Sequence, residues 1–174
     1  MRTLGLLVAI AIGVGATACS SYTLREPASP PLAAFGALPP NTARICTVRT
    51  SVLAQAVTFP IRDNGDLVGA SRGQGHFCWL AEPGPHQIAI ESDQIDEATV
   101  TAEAGKSYYL RQDVNFVFGM VSVQPVWIDE PTAREALAGT PYEVLSGVPG
   151  SEKLPEQPPF VRARPPVVQR VSQE

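Results

Sequence analysis

Apolar side chains in the middle of this chain recur at every second position, and that period limits what it can build. Val57, Phe59 and Ile61 alternate with Thr58, Pro60 and Arg62; Ile88 and Ile90 alternate with Gln87 and Glu91; Val100, Ala102 and Ala104 alternate with Thr99, Thr101 and Glu103. Side chains two apart share one face of an extended chain, so each run predicts a strand with one face on a core and the other on solvent. Pro60 cannot donate to a ladder, which predicts that its strand lies at a sheet edge. Turn residues separate the runs. Asp63-Asn64-Gly65-Asp66 stands between V-T-F-P-I-R and L-V-G-A-S, a hairpin signal because Asn-Gly accepts the positive φ of a tight turn. Glu82-Pro83-Gly84-Pro85 and Ala104-Gly105-Lys106 punctuate later runs in the same way.

Further strands are expected over K-S-Y-Y-L-R-Q, F-V-F-G-M-V-S-V and P-V-W-I-D. One short helix is expected at residues 131–138, capped by Asp129 or Glu130, with Pro131 in the first turn and Gly139 at its end. Strands at short, regular spacing imply an all-β domain over residues 43–148, an antiparallel β-sandwich or partial barrel with one short helix. The segment shows no repeat and no βαβ unit.

The two ends read differently. The chain opens with MRTLGLLVAIAIGVGATACS, in which Arg2, an uncharged apolar run over residues 4–14 and the small residues Ala16-Thr17-Ala18 follow the layout of a secretory signal. The run is shorter than the roughly 20 residues a membrane-spanning helix needs. The small residues before Cys19 resemble the bacterial lipobox, with Ala16 where Leu is usual. The resemblance implies cleavage after residue 18 and acylation of Cys19. An ordinary secretory signal with Cys19 incidental is the alternative; a lone cysteine directly after A-T-A favours the lipid. Ser20, rather than Asp, follows, which by resemblance to enteric sorting rules implies an anchor in the outer membrane, on its periplasmic face. Residues 19–42 are rich in Pro, Ala and Ser and predict a flexible tether. Residues 149–174, with Pro155, Pro158, Pro159, Pro165 and Pro166, predict a disordered tail. Its P-P-F-V-R-A-R-P-P stretch is read as spacer rather than as a groove-binding motif.

The order of motifs is also familiar. Gly65, Val68-Gly69, Gly75, Phe77, Pro83-Gly84, His86, Gly105-Lys106 and Tyr108-Tyr109 follow one another as in bacterial lipoproteins grouped as domain of unknown function 2846. The resemblance runs from about Ala43 to Glu130. It implies an all-β fold and an envelope location, and no activity.

With Cys19 acylated, Cys46 and Cys78 remain, and an even pair in an oxidising compartment predicts a disulfide with Cα atoms about 4.4–6.8 Å apart. A zinc site of Cys46, Cys78, His76 and His86 has suitable residue types but no knuckle spacing, and a calcium site of Asp63, Asn64 and Asp66 lacks the later bidentate Glu; neither metal nor any other cofactor is expected. With 13 Lys plus Arg against 17 Asp plus Glu, a formal charge of −4, the chain offers no basic face for nucleic acid. Glu91, Asp93, Asp96 and Glu97 form an acidic loop expected to be solvated. Of adjacent Tyr108 and Tyr109, one is expected in the core and one outside. His76 and His86 are expected to be structural, and no nucleophile motif or phosphate loop is present.

Three functions follow from this reading. The first is a lipid-anchored, non-catalytic binding or structural module of the cell envelope, with the membrane and an envelope protein as partners. The second is a small-molecule or lipid carrier with an interior lined by Phe116, Phe118 and Met120. The third, an enzyme, is disfavoured.

Overall fold

The computed structural model describes residues 21–164. Cys19 and residues 1–18, and the tail beyond residue 164, lie outside them. Among the described residues eleven strands and one helix follow in order: β1 (Thr23–Arg25), β2 (Ala43–Arg49), β3 (Thr58–Asp63), β4 (Asp66–Arg72), β5 (Gly75–Ala81), β6 (Gly84–Glu91), β7 (Ile95–Ala102), β8 (Ser107–Val117), β9 (Met120–Ile128), α1 (Glu130–Ala138), β10 (Val144–Gly147) and β11 (Phe160–Val161). A five-stranded sheet ordered β11-β5-β2-β8-β9 faces a four-stranded sheet ordered β4-β3-β6-β7, and β1 pairs with β10 in a small third sheet. This is the expected all-β sandwich. Most pairs are antiparallel, but β2–β8 and β11–β5 are parallel. The chain leaves β2 for the other sheet and returns to β2's free edge through β8.

The alternating residues do what their period dictates. Phe59, Ile61, Ile88 and Ile90 meet Ile45, Trp79 and Leu110 between the sheets, all without exposure. Pro60 sits in an inner strand rather than at an edge. β6 pairs only with residues 61–63 of β3, so at Pro60 the strand has one neighbour and the missing N–H is tolerated. Gly69 belongs to the same packing: a Cβ there would lie 2.4 Å from the Phe77 ring.

Every residue of β2 is buried, because a second apolar layer covers its other face. Cys46, Val48, Cys78 and Tyr109 pack there against Ala133 and Leu137 of α1 and against Leu32, Ala34 and Phe35. The helix forms as its caps predict: Asp129 accepts from the Thr132 N–H at 3.0 Å, and Gly139 ends it.

That second layer overturns the flexible tether over its described part. Residues 31–37 lie on the sheet, and the buried Arg44 guanidinium donates to the carbonyls of Ala34 (3.0 Å) and Gly36 (3.2 Å). A proline-interrupted segment has no ladder of its own, and Arg44 supplies the missing donors. The Arg134 guanidinium stacks 4.0 Å over Phe35. The disordered tail is corrected likewise for residues 149–164. β11 adds to the free edge of β5, where Leu80 and Glu82 donate to Pro159 (2.8 Å) and Val161 (2.8 Å). Arg164 reaches Asp66 at 3.1 Å, and Glu152 joins Arg62 and Tyr22. The domain therefore extends well beyond residues 43–148 at both ends.

Candidate functional site

Cys46 and Cys78 are register partners on β2 and β5 and form the expected disulfide. Their Cα atoms are 4.0 Å apart, closer than the expected window. The N–H and C=O of Cys78 turn away from β2 toward the Tyr142 hydroxyl, which makes this a non-hydrogen-bonded pair, the close-approach position of an antiparallel ladder. The sulfurs are thus engaged with each other and not gathered with His76 and His86.

His86 lies in the other sheet from His76, at the opposite end of the sandwich, and is fully buried beside Asp63. Its Nδ1 is 2.8 Å from the Asp63 carboxylate and its Nε2 is 2.8 Å from the Glu82 carbonyl. Trp79 Nε1 donates to the same carboxylate at 2.8 Å. Both ring nitrogens face acceptors, so the imidazolium is the form that satisfies both. Burial opposes that charge, but the Asp63 carboxylate more than offsets it, and the His86 pKa rises above its ordinary value. The group ties the ends of β3, β5 and β6 together. His76 is bonded to Thr140 Oγ1 at 2.9 Å and meets the Tyr142 ring edge-on. Burial pushes its pKa down. Neither histidine stands beside Asp93 or Asp96.

The acidic loop holds structure rather than only facing solvent. Asp93 accepts from the Val121 N–H (2.7 Å) and Asp96 from the Val123 N–H (2.9 Å), which covers the outer edge of β9. Pro125 follows two residues on and has no N–H to leave open, so this edge resists addition of another strand. The candidate calcium ligands diverge: Asp63 points into the core, Asn64 donates to the carbonyls of Pro85 and Arg162, and Asp66 pairs with Arg164. Among the described residues no group of three or more His, Cys, Asp or Glu side chains is placed to hold a metal ion. A shallow depression of about 280 Å³ lies between Phe35, Arg44 and Lys106, but the terminal nitrogens of Arg44 are already bonded to carbonyls and to Ser107 Oγ. Tyr109 is buried and Tyr108 half-buried, its ring against Trp127.

The most unusual feature is the hairpin between β8 and β9. F-V-F-G-M-V-S-V is not one strand. It folds back at Phe118-Gly119, and Val117 pairs with Met120. Phe118 has φ +50° and Gly119 +83°, the signature of a type I′ turn. The turn at Asn64-Gly65 has nearly the same values, +50° and +86°, between paired Asp63 and Asp66. That turn carries the residue the geometry prefers; this one carries a phenylalanine that is 98 % exposed. A bulky residue with positive φ is strained, and such strain clusters at functional sites.

The hairpin runs about 20 Å past the last residue that β2 pairs with on β8, at 3.4 Å per residue. Phe116, Val117 and Met120 flank the tip and are exposed too. They are outside the sandwich, so the interior a carrier would need is not lined by Phe116, Phe118 and Met120. Strand directions place two further loops at the same end. One, residues 50–57, exposes Val52, Leu53 and Val57. Arg49 holds it from below, donating to the carbonyls of Leu53, Ala54 and Val57 while stacked 4.4 Å over Phe59. Burial pushes the Arg49 pKa down to about 10. The other loop leads into Ile95, also exposed. Eight of the ten exposed large apolar side chains among the described residues lie at this end. The loops that carry those eight side chains bring one charge, Asp93, already bonded to Val121; the α1–β10 loop at the same end brings Glu143, beside Gly75, with Arg25 and Glu26 at its flank. The opposite end carries Asp66, Glu82, Glu103, Lys106, Arg162 and Arg164.

No family model matches the chain, and no curated protein or solved structure matches it either.

Proposed function

We propose that this protein is a lipid-anchored, non-catalytic binding module of the bacterial cell envelope, and that it binds through the apolar end of the sandwich. The carrying observation is Phe118: the chain keeps a fully exposed aromatic at a turn position that disfavours it. Side chains held in a strained and unprotected place act on something outside the domain. Withdrawing one such phenylalanine from water is worth about 1.5–3 kcal/mol, so the four residues of the tip alone can drive association. The A-T-A-C sequence and the resemblance to domain of unknown function 2846 support the envelope location, with Cys19 as the acylated residue. On this reading Tyr22, bonded to Glu152, leaves only a few residues between the lipid and the fold, and the domain is held close to its membrane.

Two experiments test the two halves. Labelled palmitate should enter the wild-type protein and not Cys19→Ala; equal labelling removes the anchor. A photo-crosslinking amino acid placed at Phe118 in cells should give adducts that the same group at Asp66 does not. Equal yields at the two ends count against the apolar end as the binding site.

A further inference from the structure

Resting on that reading, we infer that the occupant of the apolar end is the hydrocarbon layer of a lipid bilayer, entered shallowly by the β8–β9 tip with the neighbouring loops beside it. Three observations select lipid over a protein surface. The shape is convex: the apolar side chains stand on three neighbouring loops, and the longest carries Phe118 at its apex with 98 % exposure. Protein-binding patches are enriched in Tyr, Trp, Phe, Met and Arg within a polar rim; these loops hold no Tyr, Trp or Arg, and beside Phe and Met they offer Leu, Ile and Val, of which Leu and Val are under-represented at protein hot spots, among Ser, Gln and Asn.

The charge pattern points the same way. A bilayer interior excludes charge, and the three apolar loops bring only Asp93, whose carboxylate is held by the Val121 N–H at 2.7 Å; Glu143, beside Gly75, and the neighbouring Arg25 and Glu26 lie at the level of the strand ends, behind the β8–β9 tip. Arg72 and Glu91 close their strands behind the tips, and Glu91 is paired with Arg62 at 2.7 Å. With no cation on the tips, the attraction does not depend on anionic headgroups, and salt should not weaken it. The uncharged Ser, Gln and Asn side chains suit the headgroup level, while the tips reach the acyl boundary about 5–10 Å down, as other interfacial segments do.

The test uses residues 19–174 with Cys19→Ser, which contains the whole fold but cannot be acylated, and neutral phosphatidylcholine vesicles. The protein should co-float with the vesicles to the same extent at low and high salt. With Phe118→Trp, the introduced indole should shift to the blue and be quenched by lipids brominated near the headgroup end of the chain. Phe116→Ser with Phe118→Ser should lower the bound fraction at least about tenfold, while Phe160→Ser, at an exposed position elsewhere, should not. Flotation only with anionic vesicles, lost at high salt, overturns the proposal, because charged residues elsewhere would then carry the contact. No flotation, together with a discrete protein adduct or a doubled chain from the Phe118 crosslinker in cells, overturns it in favour of a protein partner or a second copy and leaves the apolar end as the binding site. No flotation and no adduct sinks both readings.

Discussion

Removing the His86 imidazole should cost far more than one hydrogen bond. The side chain is fully buried between the Asp63 carboxylate and the Glu82 carbonyl, each at 2.8 Å. A neutral hydrogen bond lost on its own would cost about 0.5–1.5 kcal/mol. His86→Ala instead leaves the Asp63 carboxylate buried with Trp79 Nε1 as its remaining partner, and breaking a buried pair in this way costs about 3–5 kcal/mol. For a domain of this size that is a fall in Tm of roughly 10–15 °C. The assay is urea unfolding near pH 6 with the disulfide intact, comparing wild type, His86→Ala, Asp63→Asn and the double variant. The double variant should lose less than the sum of the singles, because no unpaired charge is left behind. pH adds an independent reading. The folded-state pKa of His86 is raised, so its contribution is fully present below the unfolded value near 6.5 and is lost as pH rises through the folded pKa. Wild type should therefore lose part of its advantage over His86→Ala in alkaline solution. A loss under about 1 kcal/mol, unchanged with pH, would refute a buried charged pair.

Two further effects follow from the packing. Cys46→Ser with Cys78→Ser should lower stability by about 3–4 kcal/mol on the chain-entropy account, given a sequence separation of 32; reduction of the wild type should reproduce the shift in urea midpoint. Gly69→Ala should cost about 1–3 kcal/mol by overpacking against Phe77, and Gly69→Ala with Phe77→Leu should recover part of it in the same titration.

The strands, the Asn64-Gly65 hairpin, the helix caps and the disulfide were legible because each rests on local chemistry: period two, positive φ, an N-cap oxygen, two thiols left over. The packed ends were not. Nothing in the periodicity of residues 21–42 shows that Arg44, on the next strand, would satisfy their carbonyls. Nor does the tail announce that the outer edge of β5 needs it. The β8–β9 turn was missed for the opposite reason. Turn chemistry looks for Asn-Gly, and Phe-Gly inside an apolar run reads as continuous strand. The mismatch that hid the turn is what marks it as a candidate site. The acidic loop, too, was read by composition, whereas the role of Asp93 and Asp96 depends on which strand edge they face.

If Phe118 serves what it touches rather than the fold, Phe118→Asn separates the two roles. Asn is the residue that the equivalent turn at Asn64 uses. The variant should therefore be more stable than wild type by about 1 kcal/mol in urea unfolding, as the strain of a bulky residue with positive φ is relieved. In the same preparation it should lose association, read as vesicle binding in vitro and as crosslinks from a photo-reactive group at Phe116 in cells. Higher stability with weaker association is the predicted result. Unchanged association in a folded, stabilised variant would mean that the Phe118 side chain is not what binds.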